Sequence, residues 1–335
     1  MLKSIELCAG AGGQAIGLEK AGFDHVALVE NDHHACQTLK LNRPQWNVIE
    51  GNLEDYKADH YNFDIDLVAG GVPCPPFSHA GKQLGADDER NLFDEAIRVV
   101  RECAPKAVML ENVRGLLDPK FSDYRDFINA QLSDMGYWSE WKLLNASDFG
   151  VPQLRPRVVL AALQHEYSDS FYWPEPNQSP PPTVGEALFD LMSKNGWDGV
   201  EDWAKKANKI APTLVGGSKK HGGPDLGPTR AKRAWAELSV NGHLVAYDSP
   251  EKDFVGKEGF EKMPYLSLEM VARLQGFPDD WQFFGKKTHA YRQIGNAFPP
   301  PVANAVGRQI HMALSSLKNL GAITRKKVQE LPIAS

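Results

Sequence analysis

The sequence predicts an α/β fold: an open, mostly parallel sheet flanked by helices, with a smaller loop-rich unit set into the second half. Two observations carry this. Through roughly residue 165, short apolar runs alternate with stretches of helical spacing, the pattern of successive βαβ units. The rhythm then breaks. Trp173–Pro182 carries five prolines, and Gly216–Pro228 is rich in glycine, proline and basic residues.

In chain order, Ser4–Cys8 reads as the first strand, Gln14–Ala21 as a helix and His25–Val29 as the second strand. A helix over His33–Leu41 is closed by Asn42-Arg43-Pro44, since proline cannot continue it. Ile65–Ala69 has the pattern of a buried strand. Asn91–Cys103 places Leu92, Phe93, Ala96, Ile97 and Val100 at helical spacing. Ala107–Leu110 is a strand, Tyr124–Met135 a helix and Val158–Leu163 a last strand. Few long periodic segments occur between about 183 and 262. A helix over Ser267–Gln275 stops at Gly276-Phe277-Pro278, and another over Pro301–Leu317 has proline just inside its start. The chain beyond Leu320 reads as a frayed tail. The expected division is residues 1–182, continued by 263–335, around an inserted unit at 183–262.

With 335 residues, 42% apolar and 24% charged, the chain can bury a sizeable core. It has no run of about 18 uncharged apolar residues to span a membrane. The start, MLKSIELCAGAGG, lacks a secretory signal, so a cytoplasmic location is expected. The four cysteines, at 8, 36, 74 and 103, are too scattered for a zinc pair or a disulfide framework. Three fit the reading of small buried hydrophobes; Cys74 does not. The net charge of −6 conceals a basic stretch. Val200–Trp235 holds eight Lys/Arg against three acids, a local +5 suited either to phosphates or to a solvated face.

Gly10-Ala11-Gly12-Gly13-Gln14-Ala15 lies between the first strand and first helix, where glycines let backbone N–H groups approach a ligand. Glu30 ends the second strand, as an acid for ribose hydroxyls would. These features point to a nucleoside-bearing cofactor but equally satisfy a dinucleotide fingerprint. At the same sheet edge, Gly70-Gly71-Val72-Pro73-Cys74-Pro75-Pro76-Phe77-Ser78 presents a thiol caged by prolines. Glu111-Asn112-Val113 follows the next strand, and Gln153-Leu154-Arg155-Pro156-Arg157 precedes the last. A thiol, a carboxyl and a guanidinium beside an adenosyl cofactor suit methylation of cytosine at C5. A thiolate added at C6 makes C5 nucleophilic, a carboxyl at N3 draws electrons inward, and an arginine at O2 stabilises the ring charge.

In order along the chain, LCAGAGG, VEND, GVPCPPFS, LENV, QLRPR, APTL, ARLQGFPDDW and YRQIGNAFPPPVANAVG resemble the motifs of bacterial DNA cytosine-5 methyltransferases. The resemblance covers most of the chain. It implies a Rossmann-like S-adenosylmethionine-dependent fold with a smaller target-recognition domain at 183–262. It further implies Cys74 as nucleophile, Glu111 at N3, Arg157 at O2 and Arg155 supporting the thiol. The cofactor would meet Cys8, Ala9, Gly10, Gly12, Gly13, Glu30, Asn31, Asn52, Leu53, Pro73, Leu92, Asn296 and Ala297. Ser78–Arg90 would close over double-stranded DNA, with Gly81 and Gly85 as hinges. Ser78, Lys82, Arg90, Thr213, Lys219, Lys220, Arg230, Lys232 and Arg233 would touch the DNA. The target base would have to be flipped out of the duplex.

Three positions depart from the family pattern. Cys8 stands where many members stack a Phe on adenine, Asn52 where an Asp often takes the adenine amino group, and Pro75 where Gln is usual. The expected enzyme is monomeric, either the modification half of a restriction–modification system, sharing its site with an endonuclease, or an orphan methylase. The alternatives are a tRNA cytosine-5 methyltransferase, a catalytically silent DNA-binding protein and, from the glycine loop alone, a nicotinamide-dependent oxidoreductase.

Overall fold

The computed structural model describes residues 1–61, 63–73, 92–216 and 223–329, with side chains described to residue 316. Seven of its strands form one sheet: β1 (Leu2–Leu7), β2 (Phe23–Glu30), β3 (Val48–Glu50), β4 (Leu67–Gly70), β5 (Ala107–Val113), β6 (Tyr137–Asn145) and β7 (Pro156–Gln164). Their order is β3-β2-β1-β4-β5-β7-β6. The first five pair in parallel, whereas β7 runs antiparallel to both β5 and β6.

The apolar runs follow from this placement. Six of the seven residues of β5 are buried, because helices cover both faces of a central strand. One face packs Ile5, Leu7, Val68 and Val108 against α3 (Phe93–Cys103) and α4 (Ser122–Asp134). The other packs Leu67, Ala69 and Met109 near α1 (Gly13–Lys20) and α11 (Pro300–Gln329). Between β2 and β3 lies α2 (His33–Asn42), whose first turn is capped by the Asp32 carboxylate accepting from the amides of His34 and Ala35.

Several elements differ from the expectation. The short β3 and the antiparallel β6 were not foreseen: β3 is an edge strand of three residues, and Tyr137–Asn145 alternates without a clean apolar face. The segment 183–262 is more ordered than its composition suggests. Beyond the one-turn α5 (His165–Ser168) that follows β7, it contains α6 (Val184–Ser193), α7 (Val200–Lys206), α8 (Thr229–Glu237) and a two-strand ribbon, β8 (Gly256–Lys257) with β9 (Phe260–Glu261). A sequence signal existed for α6. Thr183 and Glu186 form a capping box, each side chain bonded to the other's backbone N–H. After α9 (Leu268–Leu274), α10 (Lys287–Asn296) occupies a stretch read as motif rather than helix. The last helix runs to Gln329, and the rest of the expected tail, 330–335, lies outside the described residues.

The middle segment shares its core with the cofactor end. Trp203, Trp235, Leu226 and Val245 belong to one apolar cluster with Ala11, Leu39, Trp46 and Tyr291. Among the described residues no helix is long and apolar enough to cross a membrane.

The seat of α1 on α11 depends on a missing side chain. A Cβ at Gly17 would lie 2.5 Å from both the Pro300 carbonyl oxygen and the Ala303 Cβ. We expect Gly17→Ala to cost about 1–3 kcal/mol as the helices are pushed apart. Urea denaturation checks this, and an unchanged midpoint would show that α11 shifts freely.

Candidate active site

The connections from β1 run to one side of the sheet through β2 and β3, then jump to β4 on the other side. This switch between β1 and β4 leaves a crevice at the carboxyl ends of the strands, where ligands of open α/β sheets bind. A cavity of about 510 Å³ opens there. Of the expected cofactor residues, Cys8, Ala9, Gly10, Gly13, Glu30, Asn31, Leu53, Pro73, Leu92, Asn296 and Ala297 line it.

Gly12 and Asn52 do not line the cavity. Gly12 takes the left-handed turn (φ +87°) at the N-cap of α1, and a side chain there would point into Leu39 and Trp281. The Asn52 carbonyl oxygen accepts from Asn31 Nδ2 at 3.2 Å, tying down the cavity rim instead. Neighbouring Gly51 faces the cavity, as do Arg292 and Phe298, which the motif reading did not single out.

Glu30 is almost fully buried and does more than present itself to a sugar. One carboxylate oxygen accepts from Gly10 N at 2.8 Å, the other from Asn31 N at 2.9 Å and Asp32 N at 2.7 Å. The side chain thereby holds the glycine loop against the end of β2. Burial raises its pKa and these three hydrogen bonds oppose the rise. A carboxylate offers about four acceptor positions, so room remains for a ribose hydroxyl. Cys8 is half-buried with φ +51°, and burial pushes its thiol up, which makes it a poor nucleophile. Cys36 and Cys103 are buried and donate to backbone carbonyls, as small core residues do.

The carboxyl and guanidinium meet because β7 is antiparallel. Its start, rather than its end, reaches the edge where β5 finishes, with Arg157 opposite Val113 and Val159 opposite Glu111. Glu111 and Arg157 are thus diagonal neighbours on one face. Arg157 Nε lies 2.7 Å from Glu111 Oε1, and both side chains are nearly excluded from solvent. Burial raises the Glu111 pKa, while Arg157 first and then Arg155 pull it back. Its other carboxylate oxygen lies beside Gly71 on the β4 side of the cavity.

Arg155 lies at the joint between the middle segment and the cavity-lining turn. Its side chain is fully buried, and its guanidinium donates to the carbonyls of Leu214 (2.8 Å), Gly295 (2.8 Å) and Ala297 (3.0 Å). Gln153 extends the joint, accepting from Leu214 N and donating to Leu274 O and Gln275 Oε1. Gln275 in turn donates to Ala297 O at 2.6 Å. The described contacts of Arg155 therefore tie the middle segment to the cavity-lining turn.

Among the expected DNA contacts, Arg230 and Arg233 are exposed on α8. Lys232 is half-buried and paired with Asp225 at 2.9 Å, and the Thr213 hydroxyl donates to Leu154 O. Cys74, Ser78, Lys82, Arg90, Lys219 and Lys220 lie outside the described residues, as does the loop with Gly81 and Gly85. Pro73, the residue before Cys74, lines the cavity.

The family model for C-5 cytosine-specific DNA methylases matches residues 2–312 of this chain. The chain belongs to that family. Similar curated proteins include the Type II methyltransferase M.NgoMIV of Neisseria gonorrhoeae, 60% identical over 314 residues that cover 93% of this chain and 97% of that protein. The Type II methyltransferase M.NaeI of Lentzea aerocolonigenes is 57% identical over 317 residues, covering 94% of this chain and 76% of its own length. Solved structures share the fold at much lower identity. The S. pombe Dnmt2 methyltransferase superposes with TM-score 0.63 at 16% identity, over 95% of this chain and 99% of that one. The Entamoeba histolytica methyltransferase EhMeth gives 0.65 at 15%, over 94% and 99%. The protein is thus a DNA (cytosine-5-)-methyltransferase on a mixed α/β, methyltransferase-like sheet.

In this methyltransferase the Arg157 contact opposes the rise in pKa that burial gives Glu111, and a direct outcome follows. Arg157→Leu removes the nearest opposing charge, so the Glu111 carboxyl should titrate higher than in the wild type. Site-resolved NMR titration of labelled glutamate carboxyls measures this; no change would mean that the ion pair does not govern Glu111. Arg155→Met should leave the Leu214 and Gly295 carbonyls short of a donor, Ala297 keeping Gln275, and lower stability by about 2–4 kcal/mol in denaturant titrations. A loss below about 0.5 kcal/mol would show the joint to be dispensable.

Proposed function

We propose that this methyltransferase moves the methyl group of S-adenosylmethionine to C5 of a flipped-out cytosine in a specific short duplex sequence, through a covalent Cys74–C6 adduct. The observation that carries the reading is the buried Glu111–Arg157 pair at the edge of the cavity. The cavity fits such a cofactor: it has an acid with spare acceptor capacity at Glu30, a glycine loop over a helix start, and apolar walls from Leu53, Pro73 and Leu92. When bound, the cofactor supplies an electrophilic sulfonium methyl.

The chain's own residues do the rest. The Cys74 thiolate forms a bond to C6, and the electrons of the C5–C6 double bond move to C5. Burial favours the protonated form of Glu111, which can hold its proton at ring N3. Arg157, paired with Glu111, can turn its remaining N–H groups to O2 as charge accumulates there. C5 takes the methyl group as the sulfonium S–CH3 bond breaks, its electron pair staying on the sulfur of the thioether product. The C5 proton then passes to a base, its electrons re-form the C5–C6 double bond, and the C6–S bond breaks to return the thiolate.

Residues 183–262 would recognise the target, with Arg230 and Arg233 facing phosphates or bases. The family description, a DNA methylase, favours DNA over tRNA, and relatives named Type II methyltransferases favour a place in a Type II restriction–modification system, beside an endonuclease acting on the same site. We expect a monomer in the cytoplasm.

Labelled S-adenosylmethionine and unmethylated genomic DNA, followed by bisulfite mapping, should place 5-methylcytosine at one short motif. Transfer to a tRNA pool with none to DNA would overturn the substrate. Cys74→Ser should abolish turnover while keeping sequence-specific DNA binding; near-normal methylation by this variant would refute the covalent route.

A further inference from the structure

Beside the acid–guanidinium pair the usual rule of burial is reversed. In Gln153-Leu154-Arg155-Pro156-Arg157 the polar Gln153 and Arg155 are fully enclosed, while Leu154, the one large hydrophobic side chain, is 53% exposed. Single exposed leucines are ordinary on protein surfaces. This one differs in being held. Its backbone N–H donates to Ala211 O at 2.7 Å, and its carbonyl accepts from the Thr213 hydroxyl. With an enclosed residue on either side, the direction of its side chain is set.

Its place is specific as well. The start of β7 reaches the sheet edge where β5 finishes, and Leu154 lies beyond that start. It is three residues from Arg157, so their Cα atoms are at most about 11 Å apart. Its partners Ala211 and Thr213 belong to the middle segment, which puts the leucine in the seam between that segment and the sheet. Across the ladder Val113, directly opposite Arg157, is also 53% exposed. Two open apolar side chains thus lie close to a polar pair that is nearly excluded from solvent.

An everted nucleotide needs both kinds of surface. The polar edge of its base, with N3 and O2, suits Glu111 and Arg157. What remains is largely carbon-bound hydrogen, on the sugar and on the faces of a base that has lost its stacking neighbours. Covering that area with apolar side chains favours the everted state over the stacked one. We infer that Leu154 is a positioning residue for the everted nucleotide, packing on its deoxyribose so that the base is held at Glu111 and Arg157. The inference rests on the flipped-cytosine reading above.

The test uses a duplex of the motif found by bisulfite mapping, with 2-aminopurine at the target position, whose fluorescence rises when the base leaves the stack. Leu154→Asn keeps nearly the same size and removes the apolar character. At saturating enzyme it should lower the 2-aminopurine signal. On the unsubstituted duplex it should lower kcat/KM about 5- to 10-fold, the effect of losing contact over half a leucine side chain. Affinity for S-adenosylhomocysteine should stay within about twofold, because distant contacts act independently. The urea midpoint should not move, since the side chain is exposed. Leu154→Met, which restores an apolar side chain, should recover signal and rate. Unchanged signal and rate in Leu154→Asn would overturn the inference and leave Leu154 an ordinary surface residue. Weaker duplex binding with a full signal per bound complex would overturn it too, since that marks a general DNA contact. No fluorescence rise with the wild type would overturn base eversion itself, and the inference with it.

Discussion

One guanidinium with no access to solvent, that of Arg155, joins parts of the chain that lie far apart in sequence. It donates to carbonyls at 214, 295 and 297 from a position at the mouth of β7. Burying a charge is costly unless it is hydrogen-bonded; here three carbonyl dipoles receive the terminal N–H groups, while Nε has no partner among the described residues. Gln153 and Gln275 complete the joint by bonding to the same backbone. The consequence is geometric. The segment that would read DNA and the turn that lines the cofactor cavity are both held to the strand that carries Arg157.

The cavity uses three buried acids under three different arrangements. Glu30 is satisfied by three backbone amides and holds the glycine loop. Glu111 is matched by Arg157, which offsets part of the rise in pKa that burial causes. Among the described residues Glu6 meets neither amide nor cation. The same residue type thus serves as a scaffold clamp, a tunable acid and an unfilled acceptor, according to what the fold places beside it. Chemistry in this family would need the second to stay protonated where it meets a base, and burial works in that direction.

Much of the fold was legible because it rests on local pattern. Apolar runs located β1, β2, β4, β5 and β7, and helical spacing located α1 to α4. The edge elements were not legible. Three residues of β3 carry too little periodicity, and the outer strand β6 lacks the clean alternation of a half-buried one. Composition misled in the middle segment, where α6, α7 and α8 are short and gain stability by packing Trp203 and Trp235 into a core borrowed from elsewhere. The glycine loop and the acid at the end of β2 could be named because they are tied to strand ends, whereas Leu53, Pro73, Leu92, Asn296 and Ala297 were named through the family resemblance. Glu6 could not be named, since an acid inside a strand reads as a solvent-facing residue until its surroundings are known.

The sequence by itself determined the order of motifs, and with it the family, the thiol, the acid and the arginines, because these depend on residue types at fixed places along the chain. Tertiary structure alone decided how the charges are partnered. Arg155 and Arg157 are two residues apart and chemically identical, yet one is enclosed among backbone carbonyls and the other faces Glu111. The physical reason is that β7 enters the sheet antiparallel to β5, which brings Arg157 diagonally across from Glu111. Arg155, before the strand begins, meets residues from 214 and 295–297 instead. Pairing of this kind depends on what lies across a strand or behind a loop, and linear spacing does not record it.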